Sequence, residues 1–149
     1  MEAAMDPSPR PAQPTRGDAV TALALGVGTG ALLTTAMAFV MSVPTSGSLA
    51  IFVAVVALIV SAPVWLIGLL LLGGPVGWWL HRRGLGSPPA GATAGAVLTG
   101  LATATILLTF GNHLLADIVG SPWGFSTGLV VIGAVVGLQT IAYAYRARA

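Results

Sequence analysis

Apolar and polar positions along this chain fall in long blocks. Four stretches, Ala19 to Val43, Leu49 to Leu72, Ala90 to Ala116 and Trp123 to Tyr145, are apolar for more than twenty residues each and contain no Arg. At about 1.5 Å of rise per residue each is long enough for a hydrocarbon core of about 30 Å. The pattern predicts an all-α polytopic membrane protein, a bundle of four transmembrane helices.

Punctuation marks their starts. Asp18, Ser48, Ser87 and Ser121 stand where N-caps are expected, and Pro88 and Pro122 follow the last two at a position where a missing N–H costs nothing. Pro44 with Ser46-Gly47-Ser48 is expected to close the first span. Gly73-Gly74-Pro75 is expected to stop the second before a short interfacial tail, Val76 to Leu80. Pro63, after Ser61 and Ala62, predicts a kink inside span two, with freed carbonyls seeking a hydroxyl or water. Residues 1–18 carry Pro7, Pro9, Pro11 and Pro14 among polar residues and read as a disordered cytoplasmic tail, leaving 19–149 as the membrane domain. Ala36-Met37-Ala38 fits a signal-peptidase site, but the run before it exceeds a signal core, which favours an uncleaved span.

Composition sharpens the class. The 149 residues are 56% hydrophobic and 7% charged, with a mean hydropathy of +0.93, too little polar surface for a soluble enzyme. A net charge of +2 without a basic stripe excludes a nucleic-acid partner. The absence of Cys excludes disulfides, thiolate metal sites and cysteine nucleophiles.

All six basic residues are Arg, and in a four-span arrangement they share one side: Arg10, Arg16, Arg82, Arg83, Arg146 and Arg148. The positive-inside rule then places both termini and the middle loop in the cytoplasm, N-in and C-in. Trp78, Trp79, Tyr143 and Tyr145 cluster beside those Arg residues, while Phe39, Phe52, Trp123 and Phe125 fall towards the outer interface. Trp78, Trp79, Arg82 and Arg83 are read first as topology signals, with a grip on anionic lipid headgroups as the alternative. Arg-only usage with abundant Ala and Gly points to a bacterial cytoplasmic (inner) membrane.

Lipid offers no hydrophobic gain for helix association, so small residues must carry packing. Gly26 and Gly30, Gly91 and Gly95, Gly124 and Gly128, and Gly133 and Gly137 are the expected helix-packing glycines. The plainer expectation is that these faces pack the four helices of one chain against each other; the alternative is that one face, Gly133 to Gly137 first, mates with another copy or another membrane protein. A weak internal repeat, Gly17 to Thr35 on Gly91 to Thr109, would relate two parallel hairpins by an axis along the membrane normal.

One face carries chemistry. Thr105, Thr109, His113 and Asp117 recur every fourth residue in span three with Asn112 alongside, and the last three of the row fall within an arc of roughly 80°. A His beside a carboxylate can hold a proton near neutral pH. The plainer expectation is that Gly111-Asn112 ends the helix early, that His113 and Asp117 face water, and that the Thr hydroxyls bond back to the preceding turn. His81 and His113 sit a bilayer apart, so no haem, metal or other cofactor is expected. No Walker loop, nucleophile elbow or zinc-protease motif occurs. Gly26-Val27-Gly28-Thr29-Gly30 superficially matches a phosphate loop but lies in an apolar span without Lys.

The expected function is therefore a small non-enzymatic integral membrane protein acting through helix contacts, as an accessory, assembly or scaffold subunit. The alternative is an oligomeric channel, transporter or holin-like pore lined by the polar stripe of span three. A lipid-modifying enzyme ranks last, since only His113 and Asp117 could serve as acid and base, without a nucleophile or metal.

Overall fold

The computed structural model describes residues 16–84, 87–110 and 121–144, and every element among them is helical. Helix α1 spans Arg16–Ser46, and a single 3₁₀ turn at Gly47–Leu49 leads into α2, Ala50–Gly68. A π-helical turn at Leu69–Gly73 joins α2 to α3, Gly74–Arg82. Helix α4 spans Pro88–Phe110 and α5 spans Pro122–Ala144. Four stretches are long and apolar enough to cross a membrane: Gly17–Pro44, Gly47–Leu80, Pro88–Thr109 and Trp123–Ala144.

The sequence signals for helix starts hold best at α5. Ser121 accepts the Gly124 N–H on Oγ at 3.2 Å, which satisfies an N–H group that an uncapped helix leaves bare, and its carbonyl takes the first helical bond from the Phe125 N–H at 3.0 Å. Ser87 likewise takes the Gly91 N–H on its carbonyl, and α4 begins at Pro88. Two expected caps are displaced. Asp18 lies within the first turn of α1, where its charge suits the helix dipole. Ser48 falls in the 3₁₀ turn, and Leu49 precedes α2 without a side-chain cap. Residues 1–15 of the expected tail and 111–116 of the expected third span lie outside the described residues.

The first expected stop holds and the second does not. Helix α1 continues through Pro44 to Ser46, and the chain reverses at Gly47, whose φ of 53° lies in the left-handed region that glycine adopts without strain. Gly73-Gly74-Pro75 does not end the second span. The helix widens there: the Gly74 N–H bonds to the Leu69 carbonyl, five residues back. A proline ring collides with the carbonyl four residues earlier, and a π turn displaces that carbonyl by inserting one residue. The helical run therefore continues from Ala50 to Arg82, about 50 Å at 1.5 Å per residue, and Leu80 is buried. At Pro63 the helix also continues, and the Ser61 hydroxyl donates to Leu58 O at 3.4 Å instead of to Ile59, the carbonyl that Pro63 deprives of a donor.

The long helices pack in the order α2, α1, α5, α4. Helix α4 lies along α5, α5 along α1, and α1 along α2, with no contact of comparable extent closing α2 onto α4 among the described residues. The row stays open along most of the α2–α4 side, and α3, the continuation of α2, touches α4 at one end, so the four long helices form an incompletely closed bundle among the described residues. A two-fold axis along the membrane normal would repeat the α1–α5 contact as α4–α2, so the row lacks the symmetry that the weak repeat would have required. Burial follows position: 28% of the most apolar window of α1 and 22% of that of α5 is buried, against 11% for each flank.

Glycine makes each contact. Added Cβ atoms at Gly91 and Gly95 would run into the carbonyl oxygens of Gly137 and Gly133, and those at Gly133 and Gly137 into the carbonyls of Gly95 and Gly91. The two glycine pairs thus face one another backbone to backbone, in antiparallel register. The Gly133–Gly137 face is covered within the chain, as the plainer expectation has it, and not by another molecule. Gly124 and Gly128 seat Met41 and Met37 of α1. Gly26 lies against Thr140 and Val136 of α5 and Leu69 of the π turn.

Gly95→Leu is expected to lower stability in detergent by more than the roughly 1–3 kcal/mol typical of an overpacked core, because the obstacle is backbone. Gly28→Leu, with nothing within 4 Å of its Cβ position, should change it by less than about 0.5 kcal/mol. Thermal unfolding of both variants checks the contrast.

Candidate functional site

Helix α4 holds the described part of the polar stripe on its outer surface. Thr105 and Thr109 are exposed, and their hydroxyls donate to Leu101 O at 2.8 Å and Thr105 O at 2.7 Å. Each hydroxyl is satisfied by its own helix, as threonine in an apolar medium requires. Asn112, His113 and Asp117 lie outside the described residues, so the structure brings together only the two threonines. No group of three or more His, Cys, Asp or Glu suited to a metal occurs among the described residues.

Inside the row a polar contact appears that the sequence reading missed. Trp65 of α2 donates its indole Nε1–H to Thr34 Oγ1 of α1 at 3.0 Å. The five-membered ring covers Gly30, where a Cβ would come within 2.5 Å of Trp65 Cδ2. An indole N–H in hydrocarbon needs an acceptor, and Gly30 lets the ring come close enough for Thr34, one turn on, to provide it. The signal was available: Trp65 lies seven residues inside the expected end of its span, away from the interfaces where Trp usually sits.

Other hydroxyls are buried along the row. Ser42 is fully buried and donates to Phe39 O at 3.0 Å, while Thr34 and Ser61 are 8% and 7% exposed and Thr103 is 7% exposed on α4. Thr35 Oγ1, beside Thr34 on α1, is buried without a hydrogen-bond partner among the described residues.

At the end of α3 the chemistry changes. The Arg82 guanidinium carbon lies 5.1 Å from the Trp78 ring centroid and that of Arg83 lies 4.3 Å from the Trp79 centroid. Each pair is spaced i, i+4, which places the partners on one side of the helix. All four side chains are exposed, and Leu80 between them turns inward.

No family model, curated protein or solved structure matches the chain. Its functional reading therefore rests on these contacts alone.

Adjacent threonines on α1 should respond oppositely to the same substitution. Thr34→Val removes the acceptor of Trp65 and is expected to cost about 0.6–1.7 kcal/mol, the range for interhelical hydrogen bonds in membranes. Thr35→Val removes a buried hydroxyl that lacks a partner and should be neutral or stabilising. A double-mutant cycle of Thr34→Val with Trp65→Phe, read by unfolding in detergent, isolates the shared bond.

Proposed function

We propose that this chain is a non-enzymatic integral membrane protein that works through helix–helix contacts as an accessory, assembly or scaffold subunit. The observation that carries this reading is the division of helix faces. Gly26, Gly30, Gly91, Gly95, Gly124, Gly128, Gly133 and Gly137 all meet other helices of the same chain, which locks α1 and α5 into the middle of the row. The flanks carry exposed apolar side chains: Ile59 on α2, Leu71 in the π turn, and Leu101 and Leu108 on α4 are 63–88% exposed, as are Leu32 and Val40 of α1. A partner helix would dock at a flank, where the open row offers surface, rather than at a glycine face. The proposed setting is a bacterial cytoplasmic membrane with both termini inside. Antiparallel packing puts the backbone positions of Arg16, Arg82 and Arg83 at one end of the row, and the positive-inside rule assigns that end to the cytoplasm.

A second reading, an oligomeric channel or pore, draws on the exposed Thr105 and Thr109 on the flank helix α4. Several copies meeting along α4 would line an axis with threonine. The two hydroxyls are already bonded to their own helix, so they fit lipid as well as water, and this reading ranks second.

Photo-crosslinking residues placed at Ile59, Leu71, Leu101 and Leu108 in native membranes test the first reading. A discrete protein adduct at one flank is expected, and lipid adducts alone at all four positions would overturn it. Liposome flux tests the second: background leakage from vesicles that contain verified oligomers would end the pore reading.

A further inference from the structure

We infer that the C-terminal end of α3 is a binding site for the phosphate of an anionic phospholipid, built from Trp78, Arg82, Trp79 and Arg83. The inference depends on the chain spanning a membrane and not on the proposed scaffold role.

Depth comes first. The continuous helical run from Ala50 to Arg82 is about 50 Å long, whereas a bilayer measures about 30 Å across its hydrocarbon and about 40–45 Å with its headgroups. A helical run about 20 Å longer than the hydrocarbon is thick carries its far end beyond the hydrocarbon. The last turns of α3 therefore lie at headgroup depth whichever way the chain is inserted.

The side-chain arrangement supplies the recognition. Two arginines whose guanidinium carbons lie over two tryptophan rings, at 5.1 Å and 4.3 Å from the centroids, form a double pair on an exposed surface. A guanidinium lying over a ring face has its plane held there and leaves N–H groups directed along its edge. Two such groups from consecutive residues offer donors suited to bidentate contact with phosphate oxygens. The exposed indoles can rest among the glycerol and upper acyl carbons, where Trp is favoured. A signal serving topology alone needs only the charges, and neither the rings nor the guanidinium shape would matter to it.

The test uses the full chain in bilayers of phosphatidylcholine containing spin-labelled phosphatidylglycerol, with selectivity over spin-labelled phosphatidylcholine as the readout. The wild type is expected to prefer phosphatidylglycerol. Arg82→Gln with Arg83→Gln should remove that preference, by about fivefold per arginine. Arg82→Lys with Arg83→Lys, and Trp78→Leu with Trp79→Leu, retain every charge and should each reduce it by about two- to fivefold. Trp78 and Trp79 are exposed, so the last variant should keep the unfolding temperature of the wild type. Equal selectivity in the wild type and the glutamine variant would overturn the inference. So would full retention in both charge-preserving variants, which would reduce the patch to a topology signal. Millimolar glycerol phosphate should leave the bound lipid in place, and its displacement would overturn the assignment to lipid.

Discussion

Everything in this fold depends on how closely two backbones can approach in a medium that gives helices no hydrophobic reason to associate. Helix α5 supplies most of the answer. Its first half presents Gly124 and Gly128 to Met41 and Met37 of α1, and its second half presents Gly133 and Gly137 to Gly95 and Gly91 of α4. The strongest packing thus joins two antiparallel glycine pairs within one chain, a geometry in which van der Waals contact between main chains replaces the oil-drop effect. The buried apolar residues fit this account, since four of the eight among the described residues are alanine: Ala22, Ala31, Ala38 and Ala50.

Much of this was legible in the sequence. The four spans followed from block length and hydropathy, and the caps at Ser87 and Ser121 from the Ser-Pro pairs. Which glycine face meets which was not legible, because a small-residue pattern records that a close contact exists and not whether its partner is in the same chain. The Gly73-Gly74-Pro75 stop misled for a related reason. Those residues disfavour an ideal α-helix, but lipid penalises a broken helix more heavily than a distorted one, since every freed N–H and C=O would go unsatisfied. A π turn that retains bonding, such as that from Gly74 to Leu69, is the less costly solution.

The same rule sorts the polar side chains. Thr105 and Thr109 face outward and bond to their own turns, which makes them compatible with lipid and silent as chemistry. Thr34 faces inward and joins Trp65 across two helices, so an unremarkable threonine in span one has a larger structural part than the spaced row in span three. Spacing along one helix could identify that row, whereas the Thr34–Trp65 pair required knowing that α1 and α2 run antiparallel with Gly30 beneath the ring.

An open row also distributes constraint unevenly, and this bears on where function can reside. Helices α1 and α5 are fixed by glycine contacts on more than one side, and a change there disturbs the whole packing. Helices α2 and α4 each adhere through one face and expose the rest, so their outer residues can vary without cost to the row. A surface free to vary is also free to be adapted to a neighbour. The second flank has a further property, because the continuation of α2 into α3 carries it past the hydrocarbon to the level of Arg82 and Arg83. The end of α3 thus belongs to the same helical run that Trp65 ties to α1, so a shift of that end along its axis would have to move the Thr34–Trp65 contact with it.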